Sequence, residues 1–516
     1  MTRYNFVGII EGMNRDVVIS GGGPVGLMLA CELRLAGVDV LVVERLPEPD
    51  QTIKAGSITL PTAEALYRRG MLPALQALVR EDFARMQEFL KSRGAGGPKG
   101  MPAPPVGHFA GIMVSSAGVD FEDPAFRDVG PAAGVVLVRQ QAIEALLAER
   151  AAELGVEVRR GVEVTGFDAD DDGVTVHLGD DVVRAAWLVG CDGGRSLVRK
   201  LAGFDFPGTG PAITGRQALV ELTGADALAT GWHHTGEGVY VHGPVPGRIL
   251  TVEFDGPPED RDAPITAQEL EGSLRRVSGV DVRVTKVHSA TRFTDNARQA
   301  STYRRGRVLL AGDAAHVHSP FGGQGLNLGV GDAVNLGWKL AATIRGWAPE
   351  GLLDSYTTER HPIGEWVLEW TRAQIALMRT DERAKALRHV VTDLLNTGDG
   401  ATYLAKKLSG VLHRYAIEGE HDLTGRAAPD FAFADGTRLG EHLQDGKALL
   451  LELAESADLR ETASGWADRV GVLTAKSEPA LTGVLIRPDG HIAWAAEDGG
   501  TTGLETALHR WFGEPT

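Results

Sequence analysis

The stretch RDVVISGGGPVGLMLACELRLAGVDVLVVE, residues 15–44, decides the fold. Arg15 to Ser20 is a short apolar, β-branched run and reads as a buried strand. A glycine cluster comes next, then helical spacing from Gly26 to Leu35. A second apolar run, Val38 to Val43, closes on Glu44. Strand, glycine turn, helix, strand is a βαβ unit, so the chain opens with half of a parallel sheet. The turn is a GxGxxG. Gly21 allows the tight turn, Gly23 lets backbone approach a pyrophosphate, and Gly26 lets the helix pack on the strand. The helix N-terminus then offers its dipole and free N–H groups to phosphates. Glu44, eighteen positions after Gly26, ends the second strand, where an acid can accept hydrogen bonds from a ribose.

Two further motifs stand directly after strands. Behind the run Val182–Val189 comes Cys191-Asp192-Gly193-Gly194-Arg195-Ser196, then Val198-Arg199. By itself this reads as a polar loop with Asp192 or Ser196 capping a helix. After Arg307–Ala311 comes Gly312-Asp313-Ala314-Ala315-His316, leading into a long helical region. Asp313 sits where strand meets helix, placed to cap the helix or to bond a ribityl hydroxyl. Pro320, Gly322, Gly323, Gln324, Gly325 and Asn327 come next, a loop able to press backbone N–H groups against a flat ring. His316 and His318 raise a metal site, but no third ligand stands at a familiar spacing. They are expected to pack or cap, and no metal is expected.

The 516 residues allow two or three domains. Hydrophobic residues at 43% and charged residues at 23% are ordinary for a globular protein. A net charge of −17 argues against a nucleic-acid partner. With only two cysteines, Cys31 and Cys191, a disulfide framework is excluded and a reducing, cytoplasmic setting is expected. No stretch approaches the ~18–20 apolar residues that span a bilayer, and no signal peptide stands at the start. Met1–Gly12 looks unrelated to the rest of the chain, and Met13 offers an alternative start. Ser92–Pro105 reads as a loop, Val135–Val138 as a β-like run and Gln141–Leu154 as a helix. Phe206–Ser289 mixes β-like runs with turns, as a substrate-facing sheet would. Composition shifts around Gly398–Arg426. From Pro429 strands and helices alternate again, ending in GVLIRPDGHIAWAA (483–496) and an amphipathic tail.

The three motifs, in this order and at these separations, resemble the flavoprotein aromatic hydroxylases, single-component FAD monooxygenases typified by para-hydroxybenzoate hydroxylase. The resemblance runs from Asp16 to Arg372. ACELRLAGVDVLVVERL (30–46), LVGCDGGRSLVRKLAGFDFPGT (188–209), YRRGRVLLAGDAAHVHSPFGGQGLNLGVGDAVNLGWKLAA (303–342) and the tail's LIRPDGHIAWAA narrow it to the aromatic polyketide hydroxylases. It implies an α/β chain: a discontinuous Rossmann-like FAD-binding domain (13–205 and 290–395), an inserted mixed-sheet substrate domain (206–289) and a thioredoxin-like C-terminal domain (425–516). The last has no cysteine, so it is expected to be structural rather than a thiol catalyst.

The resemblance also assigns roles. Non-covalent FAD would be held by Gly21, Gly23, Pro24, Gly26, Glu44 and Arg45 around its ADP half. Asp192, in the CDG motif that the family associates with both FAD and NAD(P)H, would touch the cofactor, and Asp313, Pro320, Gly323, Gly325, Leu326 and Asn327 would hold the flavin half. Lys54, in Ile53-Lys54-Ala55-Gly56, stands where the family more often has arginine, and it keeps the charge without the bidentate fork. Gln140, opening a helix, would reach the flavin side chain. NADPH or NADH would bind transiently, since the chain has one GxGxxG. The implied reaction uses O₂ to form a flavin C4a-hydroperoxide that hydroxylates a polycyclic aromatic, polyketide-type substrate. Trp232–Tyr240 and Phe293 are expected to line that site, with Arg292 or His233 as polar anchors. No catalytic base stands out, and oligomeric state stays open. Alternatives are a Baeyer–Villiger or antibiotic-inactivating oxygenase on the same scaffold, a flavin oxidase or dehydrogenase that inserts no oxygen, or a non-catalytic flavin- or drug-binding protein.

Overall fold

The computed structural model describes residues 14–92 and 105–516, apart from 128, 135–136, 244, 262, 455, 475–480 and 498. The expectations for residues 1–13, for Val135–Val136 and for most of the 92–105 loop fall outside the described residues. β1 (Asn14–Ser20), α1 (Pro24–Leu35) and β2 (Val40–Glu44) form the βαβ unit. The helix starts at Pro24, two residues before Gly26, because proline at the first helical position gives up an N–H that has no partner there anyway. β2 starts at Val40 because Val38 N still donates to Leu33 O, closing the end of α1.

β1 pairs in parallel with β2 on one side and with strand Asp181–Gly190 on the other. That strand pairs in parallel with Val308–Leu310, and β2 with Glu157–Arg160. Both faces are covered at the centre of this sheet, so β1 and β2 carry long apolar runs; Val17, Val18, Ile19, Leu41 and Val42 are all fully buried. The chain leaves β1 toward β2 and later returns on the opposite side. That reversal opens a crevice at the carboxyl ends of the strands, where Ser20, Glu44, Gly190 and Leu310 finish.

A second, antiparallel sheet has the order Gly231–His234, Val239–His242, Arg248–Glu253, Thr214–Thr223, Arg283–Phe293. Helix Ala267–Ser278 covers one face: Leu270, Leu274 and Val277 pack on Ala218, Val220, Tyr240 and Ile249. On the other face Val239, Val241, Leu250 and Val252 gather around Phe321 and Ala110. Helices Gln324–Arg345, Ser355–Met378, Glu382–Leu395 and Gly398–Ser409 come after this sheet in the chain.

The C-terminal unit is a thioredoxin-like four-stranded mixed sheet, Val470–Thr474, Ala448–Glu452, Gly483–Ile486, Ile492–Ala496, with helices Ala457–Ala463 and Leu504–Phe512. Its core continues into the first domain, where Leu450, Trp511 and Phe512 join Leu328, Trp338 and Ala342. Among the described residues, no helix is long and apolar enough to cross a membrane.

Candidate active site

A cavity of about 1840 Å³ lies where the crevice of the parallel sheet meets the inner face of the antiparallel one. One end of it is built by the glycine turn. Gly21 has φ 113°, and a side chain there would overlap the Cys191 carbonyl; one at Gly26 would overlap the Gly21 carbonyl. Those two glycines are required by the packing of the turn itself, and Gly26 does not face the cavity. Gly23 is different. Its φ of −77° suits any residue, and a Cβ there would meet nothing within 4 Å. Nothing in the protein demands glycine at 23; the clear space on that side belongs to the cavity. α1 has no side-chain cap, so its first-turn N–H groups await an outside acceptor. This is a cradle for a phosphate.

Gly21, Gly23, Pro24, Glu44, Arg45, Lys54, Gln140, Asp192, Asp313, Pro320, Gly323, Gly325 and Leu326 all line this one cavity. Glu44 accepts from Gly22 N at 2.7 Å and Leu46 N at 2.8 Å, which fixes its carboxylate at the cavity edge. Lys54 pairs with Asp50 at 2.8 Å. Gln140 N donates to Ala55 O, which leaves its side chain at the wall. Asn327 does not face the cavity. Its Oδ1 accepts from Thr59 N and its Nδ2 donates to Gly323 O, each at 2.8 Å, so it ties the glycine loop to the Ile53–Thr59 segment.

Asp192 serves as a cap: its Oδ2 accepts from Leu197 N at 2.7 Å and Val198 N at 3.2 Å. Ser196 adds a second cap, accepting from Arg199 N. Asp192 Oδ1, however, is enclosed without a partner. Asp313 is exposed into the cavity and makes no hydrogen bond among the described residues. The loop beneath it is tied to the next helix: Asp332 accepts from Gly312 N at 3.0 Å, pairs with His316 Nε2 at 2.6 Å, and receives Arg360 Nε at 2.9 Å. His316 is therefore a buried packing residue. His318 donates from Nδ1 to Ser319 O at 2.7 Å, which leaves Nε2 enclosed at the cavity wall without a partner. Helix Gln324–Arg345, like α1, starts at a glycine, Gly323 at φ 64°, with no side-chain cap. Two uncapped helix N-termini thus face the same space.

The far end of the cavity is lined by Gln217, Trp232, Arg248, Leu250, Thr291 and Phe293 of the antiparallel sheet, with Phe321 and His108 packed beside Trp232. The two expected anchors are not there. Arg292 bonds Glu269 at 2.6 Å on the helix-covered face, and His233 stacks on Tyr240 with ring centroids 4.8 Å apart. Strand side chains alternate between faces, so Trp232 and Phe293 look into the cavity while His233, Tyr240 and Arg292 look away. Arg248, Gln217 and the hairpin Pro105–Ser115 carrying His108 escaped sequence reading. The alternation was visible, but which phase faces inward depends on where the covering helix docks.

The cradle at Gly23, the unpartnered Asp192 Oδ1 and the unbonded Asp313 fit an elongated ligand with a phosphate and hydroxyls. Family comparison names it. The model of the FAD binding domain matches residues 14–371, and that of the aromatic-ring hydroxylase C-terminal domain matches residues 421–515. The chain belongs to the FAD-dependent aromatic-ring hydroxylases.

The cofactor of this hydroxylase is FAD, and the enzyme is a monooxygenase. Among hydroxylase relatives, a 12-dehydrotetracycline 5-monooxygenase/anhydrotetracycline 6-monooxygenase of Streptomyces rimosus is 43% identical, over 98% of this chain and 100% of its own. A rifampicin monooxygenase of Streptomyces venezuelae is 40% identical, over 97% and 99%. The solved anhydrotetracycline hydroxylase from Streptomyces rimosus superposes with a TM-score of 0.84 at 40% identity, covering 98% of this chain and 100% of the other.

Proposed function

We propose that this hydroxylase inserts one oxygen atom from O₂ into a polycyclic phenol or quinone, with NADPH or NADH as transient reductant. We assign cofactor handling to 13–205 and 290–395, the substrate wall to 206–289, and bracing to 425–516. The turn at Gly21 and Gly23 with Pro24 and the α1 N-terminus would hold the FAD pyrophosphate, and Gly26 keeps that turn closed. Glu44, with lone pairs beyond those its two backbone donors use, would accept from a ribose hydroxyl. Arg45, Lys54, Gln140 and Asp192 would border the linker, Asp313 the ribityl chain. Pro320, Gly323, Gly325 and Leu326 would face the flavin ring, with Asn327 bracing them. Bound and reduced, FAD would activate O₂ for this transfer; the protein positions the ring and keeps water out. Neither cysteine has a disulfide partner, in keeping with a cytoplasmic enzyme.

One observation carries the substrate class. The cavity runs unbroken from the glycine turn, past the residues assigned to FAD, to an apolar wall of Trp232, Leu250, Phe293 and Phe321, a face suited to fused rings, and the tetracycline monooxygenase relative supports the same class. Polycyclic hydroxyquinones are expected to accelerate NADPH oxidation, and para-hydroxybenzoate to leave it at the basal rate. Efficient turnover of the one-ring phenol alone would reject this class. A second reading, oxidative inactivation of an antibiotic, is supported by the rifampicin monooxygenase relative. Product structure with rifampicin distinguishes the two.

A further inference from the structure

We propose that Arg248 selects a substrate presenting an ionised oxygen, a phenolate or enolate on its fused rings, and that this end of the cavity holds the ring as an anion. The proposal rests on the polycyclic reading above. Arg248 opens strand Arg248–Glu253 opposite Leu219 and shares the inner face with Leu250. The arginines on the outer, helix-covered side are matched: Arg216 with Glu253 and Glu269, Arg276 with Glu253, Arg292 with Glu269. Arg248 has no acceptor among the described residues, and its Nε is shut off from solvent.

One residue of the same wall, His108, is a donor as well. His108 Nδ1 accepts from Gly111 N at 3.3 Å, so the proton of the neutral ring sits on Nε2. Burial, aided by the charge of Arg248, pushes His108 down to about 4 and holds it neutral. The His108 ring packs on Trp232 at 4.5 Å. Gln217 and Thr291 complete the polar part of this wall. The carboxylates that line the cavity are Glu44, Asp50, Glu144, Glu163, Asp192 and Asp313, and none comes from the antiparallel sheet or the hairpin. A guanidinium cannot shed its charge as a lysine can, and burying it unmatched is unfavourable. That arrangement makes sense if an incoming anion completes it. The acidic ring hydroxyl would lose its proton to solvent, and Arg248 would hold the resulting anion. An anionic ring is more electron-rich toward electrophilic oxygen, so this wall needs no carboxylate to act as a base.

The test is a titration of the FAD-loaded enzyme with a hydroxyanthraquinone, at a pH where it is ionised, and with its methyl ether, read by the change in flavin absorbance. Wild type is expected to favour the ionised compound by about tenfold or more, the scale of one charge-assisted hydrogen bond. Arg248→Lys should keep part of that preference and Arg248→Gln should lose it. The ligand-free Arg248→Gln protein should melt at the same temperature as wild type or higher, because a half-buried charge without an acceptor has been removed, and its KM for NADPH should not move. Undiminished preference in Arg248→Gln, a lower melting point, or an effect confined to NADPH would overturn the proposal while leaving the polycyclic reading intact. If neither compound is bound, that reading falls and the proposal with it.

Discussion

Gly23 and Gly26 look alike in the motif and differ in the fold. A side chain at 23 enters open cavity, while one at 26 strikes the Gly21 carbonyl. Gly23→Val is therefore expected to leave the melting temperature of the flavin-free protein unchanged and to weaken FAD by about tenfold or more, ~1.4 kcal/mol. Gly26→Ala should lower that melting temperature. Fluorescence titration with FAD and thermal unfolding separate the two, and equal FAD affinity in wild type and Gly23→Val would mean the phosphate lies elsewhere. Asp313 bonds to nothing among the described residues, so Asp313→Ala should cost only ligand affinity, ~1.5–3 kcal/mol for a carboxylate hydrogen bond. Asp192→Ala should lower both affinity and flavin-free stability, since Asp192 also caps a helix. At this scale the sequence was legible wherever a residue's place is set by its turn: the strand before and the helix after were enough to put Gly21, Gly23 and Asp313 at the cavity. It was silent on Arg248 and Gln217, which matter only because the outer face of their sheet is taken by helix Ala267–Ser278.

The hairpin Pro105–Ser115 closes one side of the cavity, and a histidine fastens it. His234 Nε2 donates to Ala110 O at 3.0 Å, while Nδ1 accepts from Arg388 Nη1 at 2.6 Å. This joins sheet, hairpin and helix Glu382–Leu395 through one neutral ring. A second proton would have to sit on Nδ1, against the guanidinium. Burial and Arg388 accordingly push His234 down to about 4, and burial does most of the same to His108. The unfolded chain binds these protons below its ordinary histidine pKa of 6.5, and the folded chain refuses them until about 4. Unfolding free energy should therefore fall as pH drops through that window. His234→Gln, which keeps a donor for Ala110 O, should remove part of the slope. An unchanged slope in that variant would contradict this account. The hairpin itself was hidden from the sequence because its strands are short and come after a loop without periodicity, whereas α1 and β1 announced themselves by their glycine turn and unbroken apolar runs.

At the scale of the molecule, the C-terminal unit is wired into the flavin domain. Arg487, fully buried, donates to both Glu359 oxygens at 2.8 and 2.7 Å and pairs with Asp489, and Lys339 reaches the same Glu359 at 2.8 Å. Arg69 binds Glu32 of α1 and donates to the Leu443 and Pro488 carbonyls. Removing one member strands the others, so Arg487→Met is expected to lose about 3–5 kcal/mol. Because helix Gln324–Arg345 belongs to both cores, FAD release should coincide with unfolding in denaturant. A C-terminal unit that melts separately, with flavin retained, would refute the bracing role. The chain as a whole is read as an FAD monooxygenase of polycyclic aromatics, and isotopic labelling tests that claim most directly. Purified enzyme, NADPH, a polycyclic hydroxyquinone and heavy-isotope O₂ should yield a product carrying one labelled oxygen atom, seen by mass spectrometry. NADPH consumption with no oxygen inserted, or oxygen derived from water, would contradict it.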